Sequence, residues 1–151
     1  GAKRQIIGVY DKKLLNTFST VAKNLEMEHV MVVHGDDGLD EISISGPTQI
    51  SEYKNYKIEE YTISPQEFGI TTSPFEEISA QSSEQSLRMV QEAFSGEQSA
   101  VQDMIALNAG AGLYIARKVD SISDGVELAF TLMNNGKAAD KLAAYVRVSN
   151  S

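Results

Sequence analysis

Apolar residues with two different spacings open the chain and predict a strand, a helix and a second strand. Residues 5–10 (QIIGVY) and 29–34 (HVMVVH) are short apolar runs, which are typical of buried strands. Between them, apolar residues recur every three or four positions, which places them on one face of an α-helix. This order predicts a βαβ unit, whose strands are parallel and whose crossover is right-handed.

The next segment alternates apolar and polar residues, which predicts half-exposed strands. Residues 42–64 indicate an antiparallel pair with a turn near Asn55. Ser64 and Glu67 have the spacing of a capping box with proline at the first helical position, so a short helical turn is expected there. Residues 68–83 have no sustained period and are interpreted as a long loop.

The remainder of the chain is predicted to be helical. The predicted helices cover residues 83–94, 100–119, 122–135 and 137–148. The second is apolar on nearly every side and is expected to be buried, with Gly110 and Gly112 as small residues that allow close packing. In the last helix the residues expected to face inward are Ala139, Leu142, Ala143 and Val146. The predicted fold class is α/β, with a partial mixed sheet, a parallel βαβ core plus antiparallel strands, covered by helices.

Composition narrows the class of partner and the kinds of site. The chain has 151 residues, with 13 basic and 21 acidic side chains and a formal net charge of −8. This balance predicts no nucleic acid and no membrane among its partners, because both need a basic face. The absence of cysteine excludes disulfides, thiolate zinc sites and cysteine nucleophiles. No apolar run is long enough for a membrane span or a signal peptide, so a cytoplasmic location is expected.

An acidic stretch, HGDDGLDE, directly follows the second predicted strand. Open α/β sheets bind ligands beyond the carboxyl ends of their strands, so the stretch lies where such folds place chemistry. Mg²⁺ typically takes one or two carboxylates and completes its shell with water and substrate phosphates. Asp40 and Glu41 are therefore candidate metal ligands, whereas Asp36 and Asp37 are interpreted as surface charge. The alternative is that the whole stretch is solvated without a metal; the ligand spacing of an EF-hand does not fit.

Three other polar residues have structural interpretations. His34, at the strand end beside the acids, either assists at the site or hydrogen-bonds the loop, and the structural role is favoured. His29, at the start of the same strand, is interpreted as a surface residue. Asn108 lies in the apolar helix and is expected to satisfy a buried backbone group.

Four stretches of the chain resemble one enzyme family. In chain order, the stretches are RQIIGVYDKKLL, VVHGDDGLDEISISGPTQI, IEEYTISPQEFGI and ALNAGAGLYIARKV. They closely resemble the C-terminal half of anthranilate phosphoribosyltransferase and occur in the family's order. The pattern HG-x-x-GLDE followed by S-x-S/T-G-P is specific, and the resemblance covers the chain from Arg4 to about Leu142. It implies a fold of the nucleoside phosphorylase/phosphoribosyltransferase C-terminal domain type.

The resemblance also implies an activity and a cofactor. The family transfers a phosphoribosyl group from phosphoribosyl pyrophosphate to anthranilate and releases pyrophosphate, in tryptophan biosynthesis. Its Asp-Glu pair in GLDE holds Mg²⁺ against the pyrophosphate, and Asp40 and Glu41 match that pair. The ion neutralises charge on the leaving group and orients it.

Other features of the family are not found in these 151 residues. The family has a GTGGD loop for the pyrophosphate, a Lys-His-Gly segment and an arginine that contacts anthranilate, all upstream of the matched region. Residues 1–151 are therefore expected to be the C-terminal part of the α/β domain, with the N-terminal helical domain and the glycine-rich loop absent, and to be inactive alone. The family forms homodimers mainly through the helical domain, so the oligomeric state of this chain stays open.

Two other functions are alternatives to phosphoribosyl transfer. A nucleoside phosphorylase shares the fold, but its members lack the GLDE pair, which argues against it. A non-catalytic module is the other alternative, in which the same fold binds a phosphate compound or a partner chain without chemistry.

Overall fold

In the computed structural model, which describes residues 1–150, one mixed sheet is covered by helices on both faces. The strands of the described chain are β1 (Arg4–Gly8), β2 (His29–Gly35), β3 (Thr48–Lys54) and β4 (Lys57–Ile63). Its α-helices are α1 (Leu14–Asn24), α2 (Ser83–Phe94), α3 (Ala100–Ile115), α4 (Ile122–Asn134) and α5 (Lys137–Ser149). Short 3₁₀ turns occupy Pro65–Phe68 and Phe75–Glu77.

The strand order is β1-β2-β3-β4, with β1 parallel to β2 and the other neighbours antiparallel. The predicted βαβ unit, antiparallel pair and α/β class are thus confirmed. Alternate residues of β2 enter two separate cores. Met31 and Val33 join a cluster with side chains of α3 and α4, whereas Val30 and Val32 pack with Leu15 of α1. Burial on both faces is the reason that β2 is almost continuously apolar.

Helices α3 and α4 approach each other at two glycines. A Cβ atom on Gly110 would lie 2.6 Å from the Val126 backbone nitrogen, and one on Gly125 would lie 2.2 Å from the Gly110 carbonyl oxygen. Either distance is far below van der Waals contact, so the two backbones touch only because both residues lack a side chain. The predicted close packing at Gly110 is confirmed, whereas a Cβ atom on Gly112 would meet only open space.

Three predictions about the elements were wrong. Helix α3 ends at Ile115 rather than at residue 119, because Arg117 adopts the left-handed conformation. Residues 42–46 are not in a strand, although Ile42 and Ile44 are fully buried beside the sheet. Helix α5 has no buried residue, and Val146, which was expected to face inward, is 48% exposed. An amphipathic pattern shows which residues share a helix face, but it does not show whether this protein supplies a surface for that face.

Eight of the described residues adopt the left-handed backbone conformation, which is unfavourable for most residues other than glycine. Four of the eight are glycines, namely Gly38, Gly69, Gly96 and Gly136. The other four are Glu26, Asn55, Tyr56 and Arg117. A residue with a Cβ atom in this conformation is strained by about 1–2 kcal/mol, and asparagine tolerates it best.

No helix within residues 1–150 has both the length and the apolar character that crossing a membrane requires.

Candidate functional site

The acidic loop begins at the carboxyl end of β2 and is closed by its own backbone. The Gly35 amide donates to the Leu39 carbonyl at 2.9 Å, and the Gly38 amide donates to the Gly35 carbonyl at 2.9 Å. Gly38 has φ +93°, a conformation that favours glycine. The Asp36 amide donates to the Pro47 carbonyl at 2.9 Å, which joins the loop to the segment that leads into β3.

Two contacts fix the position of Asp40 and Glu41, which are called the carboxylate pair below. A Cβ atom on Gly8, the last residue of β1, would lie 1.6 Å from the Asp40 carbonyl oxygen, so the loop rests directly on the β1 backbone. On the other side, Asn108 of α3 makes two hydrogen bonds to Ile42. Its Oδ1 accepts from the Ile42 amide at 3.0 Å, and its Nδ2 donates to the Ile42 carbonyl at 2.8 Å.

The prediction that Asn108 satisfies a buried backbone group is therefore confirmed. Asn108 satisfies the backbone amide and carbonyl of Ile42, the residue after the carboxylate pair. The side chain of Ile42 is fully buried. Both ends of the pair are consequently held by groups from the sheet and from α3.

The four acidic residues of the loop have different environments. Asp37 accepts from the Leu39 amide and from the Ser43 hydroxyl, and Asp36 accepts from Gln49 Nε2 at 2.7 Å. These two carboxylates stabilise the loop, which is a more specific role than the predicted surface charge. Within residues 1–150, neither Asp40 nor Glu41 has a side-chain hydrogen bond or ion pair, and both are exposed.

The carboxylate pair fits Mg²⁺ as an incomplete ligand set. Its two oxygen-donor side chains are adjacent, exposed and not engaged by protein groups at the edge where α/β sheets bind ligands. No cluster of three or more His, Cys, Asp or Glu residues in the described chain could hold a metal ion. A site with two carboxylates suits Mg²⁺ when waters and phosphate oxygens supply the remaining ligands.

A cavity of about 230 Å³ adjoins the carboxylate pair. Asp40 and Glu41 supply its acidic side, and apolar residues of the long loop and of α3, including Phe75, Ile78 and Met104, line the remainder. The pair therefore lies between an apolar recess and solvent.

His34 is attached to the sheet by one ring nitrogen. Its Nδ1 lies 2.8 Å from the Val9 carbonyl oxygen, which only accepts, so Nδ1 carries the proton and donates. This contact supports the structural role that was favoured for His34. The half-buried ring also lines a separate cavity of about 400 Å³, together with Asp11, Asp36 and Gln49.

A buried polar cluster at the opposite end of the sheet was missed from the sequence. Glu52 of β3 accepts hydrogen bonds from His29 Nε2, from Tyr61 Oη at 2.6 Å and from Tyr114 Oη at 2.9 Å. Lys54 Nζ donates to Tyr114 Oη at 3.0 Å. These five residues form the Glu52 network. The prediction that His29 lies on the surface was wrong, because its exposed fraction is 0%.

The Glu52 network shifts the titration of its members. Burial alone would raise the pKa of Glu52, but the hydrogen bonds from His29, Tyr61 and Tyr114 outweigh it and hold that pKa below its ordinary value. Burial and the neighbouring carboxylate raise the pKa of the Tyr61 and Tyr114 phenols. Glu52 is therefore held as a carboxylate that accepts hydrogen bonds from the donors around it.

A sequence signal for this network did exist. Side chains alternate between the faces of a strand, so Glu52 shares a face of β3 with Ile50, which is buried. A glutamate in phase with a core residue predicts a buried carboxylate that needs hydrogen-bond donors.

Comparison with known proteins gives one consistent result. Residues 1–139 match the family model described as "Glycosyl transferase family, a/b domain". The chain is 43% identical over 146 residues to the anthranilate phosphoribosyltransferase of Halorhodospira halophila, and 39% identical over 150 residues to that of Nitrosomonas eutropha. These matches cover 97% and 99% of this chain but only 43% and 44% of the relatives, so the chain spans less than half of their length.

Solved structures agree on the fold. The anthranilate phosphoribosyltransferase (TrpD) of Thermus thermophilus superposes with a TM-score of 0.84 at 29% identity, over 95% of this chain and 42% of that protein. The Saccharomyces cerevisiae enzyme in complex with PRPP and Mg gives a TM-score of 0.84 at 22% identity, over 97% of this chain and 43% of that protein. At 22% identity the second likeness concerns the fold alone.

Proposed function

The chain belongs to the glycosyl transferase family, and from that premise we propose that it forms the metal-binding C-terminal part of an anthranilate phosphoribosyltransferase. The proposed reaction transfers a phosphoribosyl group from phosphoribosyl pyrophosphate to anthranilate and releases pyrophosphate. The observation that carries the proposal is the GLDE motif, whose carboxylate pair stands at the carboxyl edge of the sheet without protein partners among the described residues.

The residues of this chain would act mainly by holding oxygen ligands in place. Asp40 and Glu41 would bind Mg²⁺, which when bound stabilises negative charge on a diphosphate leaving group. Gly8 and Asn108 hold the backbone on either side of the pair. Such support matters because electrostatic stabilisation depends on groups that are positioned before the reaction begins.

The first test is activity of the 151 residues alone. We expect no phosphoribosylanthranilate when the chain is mixed with phosphoribosyl pyrophosphate, anthranilate and Mg²⁺, because its sequence contains no GTGGD loop and no KHG segment. Chromatography of the reaction measures the product. Turnover by this chain at a rate typical of enzymes, about 1 s⁻¹ or faster, would contradict the expectation.

A chimaera tests the transferase assignment itself. In it, the part of the Halorhodospira halophila relative that precedes the matched region is fused to this chain. The chimaera is expected to form product, and circular dichroism checks that it is folded. A folded chimaera that binds phosphoribosyl pyrophosphate but forms no product would favour the non-catalytic module.

The second test concerns the carboxylate pair and uses the chain as it is. Titration calorimetry should give a Mg²⁺ dissociation constant of about 1 mM or weaker, because two carboxylates fill only part of the shell. Pyrophosphate should tighten the binding, and the double variant Asp40→Asn, Glu41→Gln should weaken it about tenfold or more, equivalent to about 1.4 kcal/mol.

Asp36→Asn is the matched control, because it removes a carboxylate of the same loop that is engaged by Gln49. It should leave Mg²⁺ affinity within about twofold, since a carboxylate outside the ligand set adds little. Equal affinities for the wild type and the double variant would overturn the assignment of the pair as metal ligands.

A further inference from the structure

A cavity within residues 1–150 lies at the opposite end of the sheet from the carboxylate pair. It has a volume of about 620 Å³, within the range of small-molecule sites. It lies beside the start of β2 and the turn between β3 and β4, and it is called the hairpin cavity. Its lining includes Lys23, Glu26, Met27, Tyr53, Tyr56 and Arg117.

Three chain reversals meet at the hairpin cavity, and each has a side chain where glycine is usual. Glu26 follows α1, and Arg117 follows α3, both in the left-handed conformation that ends a helix in a Schellman motif. Tyr56 is the second residue of the two-residue turn between Lys54 and Lys57. Such turns favour the pair Asn-Gly, so glycine is the usual residue at the position of Tyr56.

Elsewhere the chain does use glycine for this conformation. All four described glycines with positive φ lie outside the lining of the hairpin cavity, and all four non-glycine residues with positive φ line it. Residues in unfavourable backbone conformations are held there by the surrounding structure, and they cluster at active sites, ligand clamps and switch regions. The fold alone gives no reason for glutamate, tyrosine and arginine at these three positions.

The side chains that line the hairpin cavity include aromatic and charged groups that can contact a ligand. Tyr56 is 84% exposed, so its ring is open to a ligand. Lys23 and Arg117 are exposed and have no side-chain hydrogen bond or ion pair in the described chain. Of the two glutamates at the cavity, Glu28 is paired with Arg4 at 2.7 Å, which leaves Glu26 as the uncompensated acid.

We propose that the hairpin cavity binds a planar aromatic compound that carries a single carboxylate. The Tyr56 ring offers a face for stacking, and aromatic pairs favour offset or edge contacts beyond simple burial. The Arg117 guanidinium pairs with carboxylates in a planar, bidentate manner, and Lys23 adds a second positive charge. Glu26 repels a second negative charge, which favours a monocarboxylate over a phosphate ester.

Indole-3-acetate is the probe, and amide chemical shifts of the ¹⁵N-labelled chain are the readout. We expect saturable shifts that concentrate at residues 26–28, 53–57 and 117, with a dissociation constant of about 1 mM for a ligand of this size. Cyclohexylacetate, which lacks an aromatic face, and indole, which lacks the carboxylate, should each bind about tenfold more weakly or not at all.

Tyr56→Gly and Arg117→Gly separate binding from folding. Each substitution removes a side chain and relieves backbone strain, so each variant should have a higher midpoint of urea unfolding. Each should also bind indole-3-acetate at least about tenfold more weakly. Tyr145→Ala and Arg88→Ala remove exposed residues of the same types from α5 and α2 and should leave binding unchanged.

Either of two results would overturn the proposal. One is the absence of saturable shifts at the hairpin cavity up to about 20 mM indole-3-acetate, well above the expected dissociation constant. The other is unchanged binding in the folded Tyr56→Gly and Arg117→Gly variants. Neither result bears on the carboxylate pair, which lies beyond the other end of β2.

Discussion

Replacing Gly110 by alanine is expected to lower the free energy of unfolding by about 3 kcal/mol, the upper part of the range for overpacked cores. The new Cβ atom would lie 2.6 Å from the Val126 backbone nitrogen and 2.7 Å from its Cγ2 atom. The first neighbour is backbone, which cannot turn aside as a flexible side chain can. Helices α3 and α4 would therefore have to separate along the middle of the core. Urea unfolding followed by circular dichroism measures the change.

Gly112→Ala is the matched control on the same helix. A Cβ atom on residue 112 would meet only open space. In a helix interior, alanine is more favourable than glycine by about 1 kcal/mol. This variant should be more stable than the wild type. Because both substitutions change helix propensity alike, the difference between them isolates the contact of α3 with α4. Two variants of equal stability would show that the helices are not packed as described.

Replacing Glu52 by alanine should cost about 3–5 kcal/mol, the range for a buried ionic or polar pair that loses one partner. His29, Tyr61 and Tyr114 would all lose their acceptor, and His29 is fully buried. A buried donor without an acceptor has lost its hydrogen bonds to water and gains no hydrogen bond in the protein, which destabilises the folded state. Glu92→Ala at an exposed position of α2 is the control, and its effect should stay within about 0.5 kcal/mol.

The Glu52 network also predicts how stability depends on pH. The pKa of Glu52 in the folded protein lies below its ordinary value of 4.5, so the folded state favours the carboxylate. Its contribution is present in full above pH 4.5 and is lost as the pH falls through the folded-state pKa. Glu52→Gln removes this contribution. The stability difference between wild type and Glu52→Gln should therefore be largest at neutral pH and should shrink below pH 4.5. A difference that grows with acidification would show that Glu52 is not buried as a carboxylate.

The sequence predicted the strands and helices well because local forces decide them. The period-two pattern of β4 and the one-sided apolar face of α1 follow from the geometry of a single element. Ser82, Ser99 and Ser121 each accept a hydrogen bond from a backbone amide three residues later, so these helices begin where their caps allow.

The sequence indicated candidate residues for the site, which stay a prediction, but it did not indicate the groups that support them. GLDE identified Asp40 and Glu41, and the position after β2 indicated the edge of the sheet. Gly8 could not be recognised as the residue under the loop, because it is 32 positions away from Asp40 in the sequence. The Asn108 bonds to Ile42 likewise span 66 residues.

By itself, the sequence determined the order of elements, the family and the identity of the carboxylate pair, since each rests on short-range patterns of residue type. Tertiary structure alone decided that His29 is buried against Glu52, that α5 has no fully buried residue, and that Glu26, Tyr56 and Arg117 meet around one cavity. The physical reason is the same in each case. Burial and contact depend on which surfaces the folded chain brings together, and no local period encodes a neighbour that is distant in sequence.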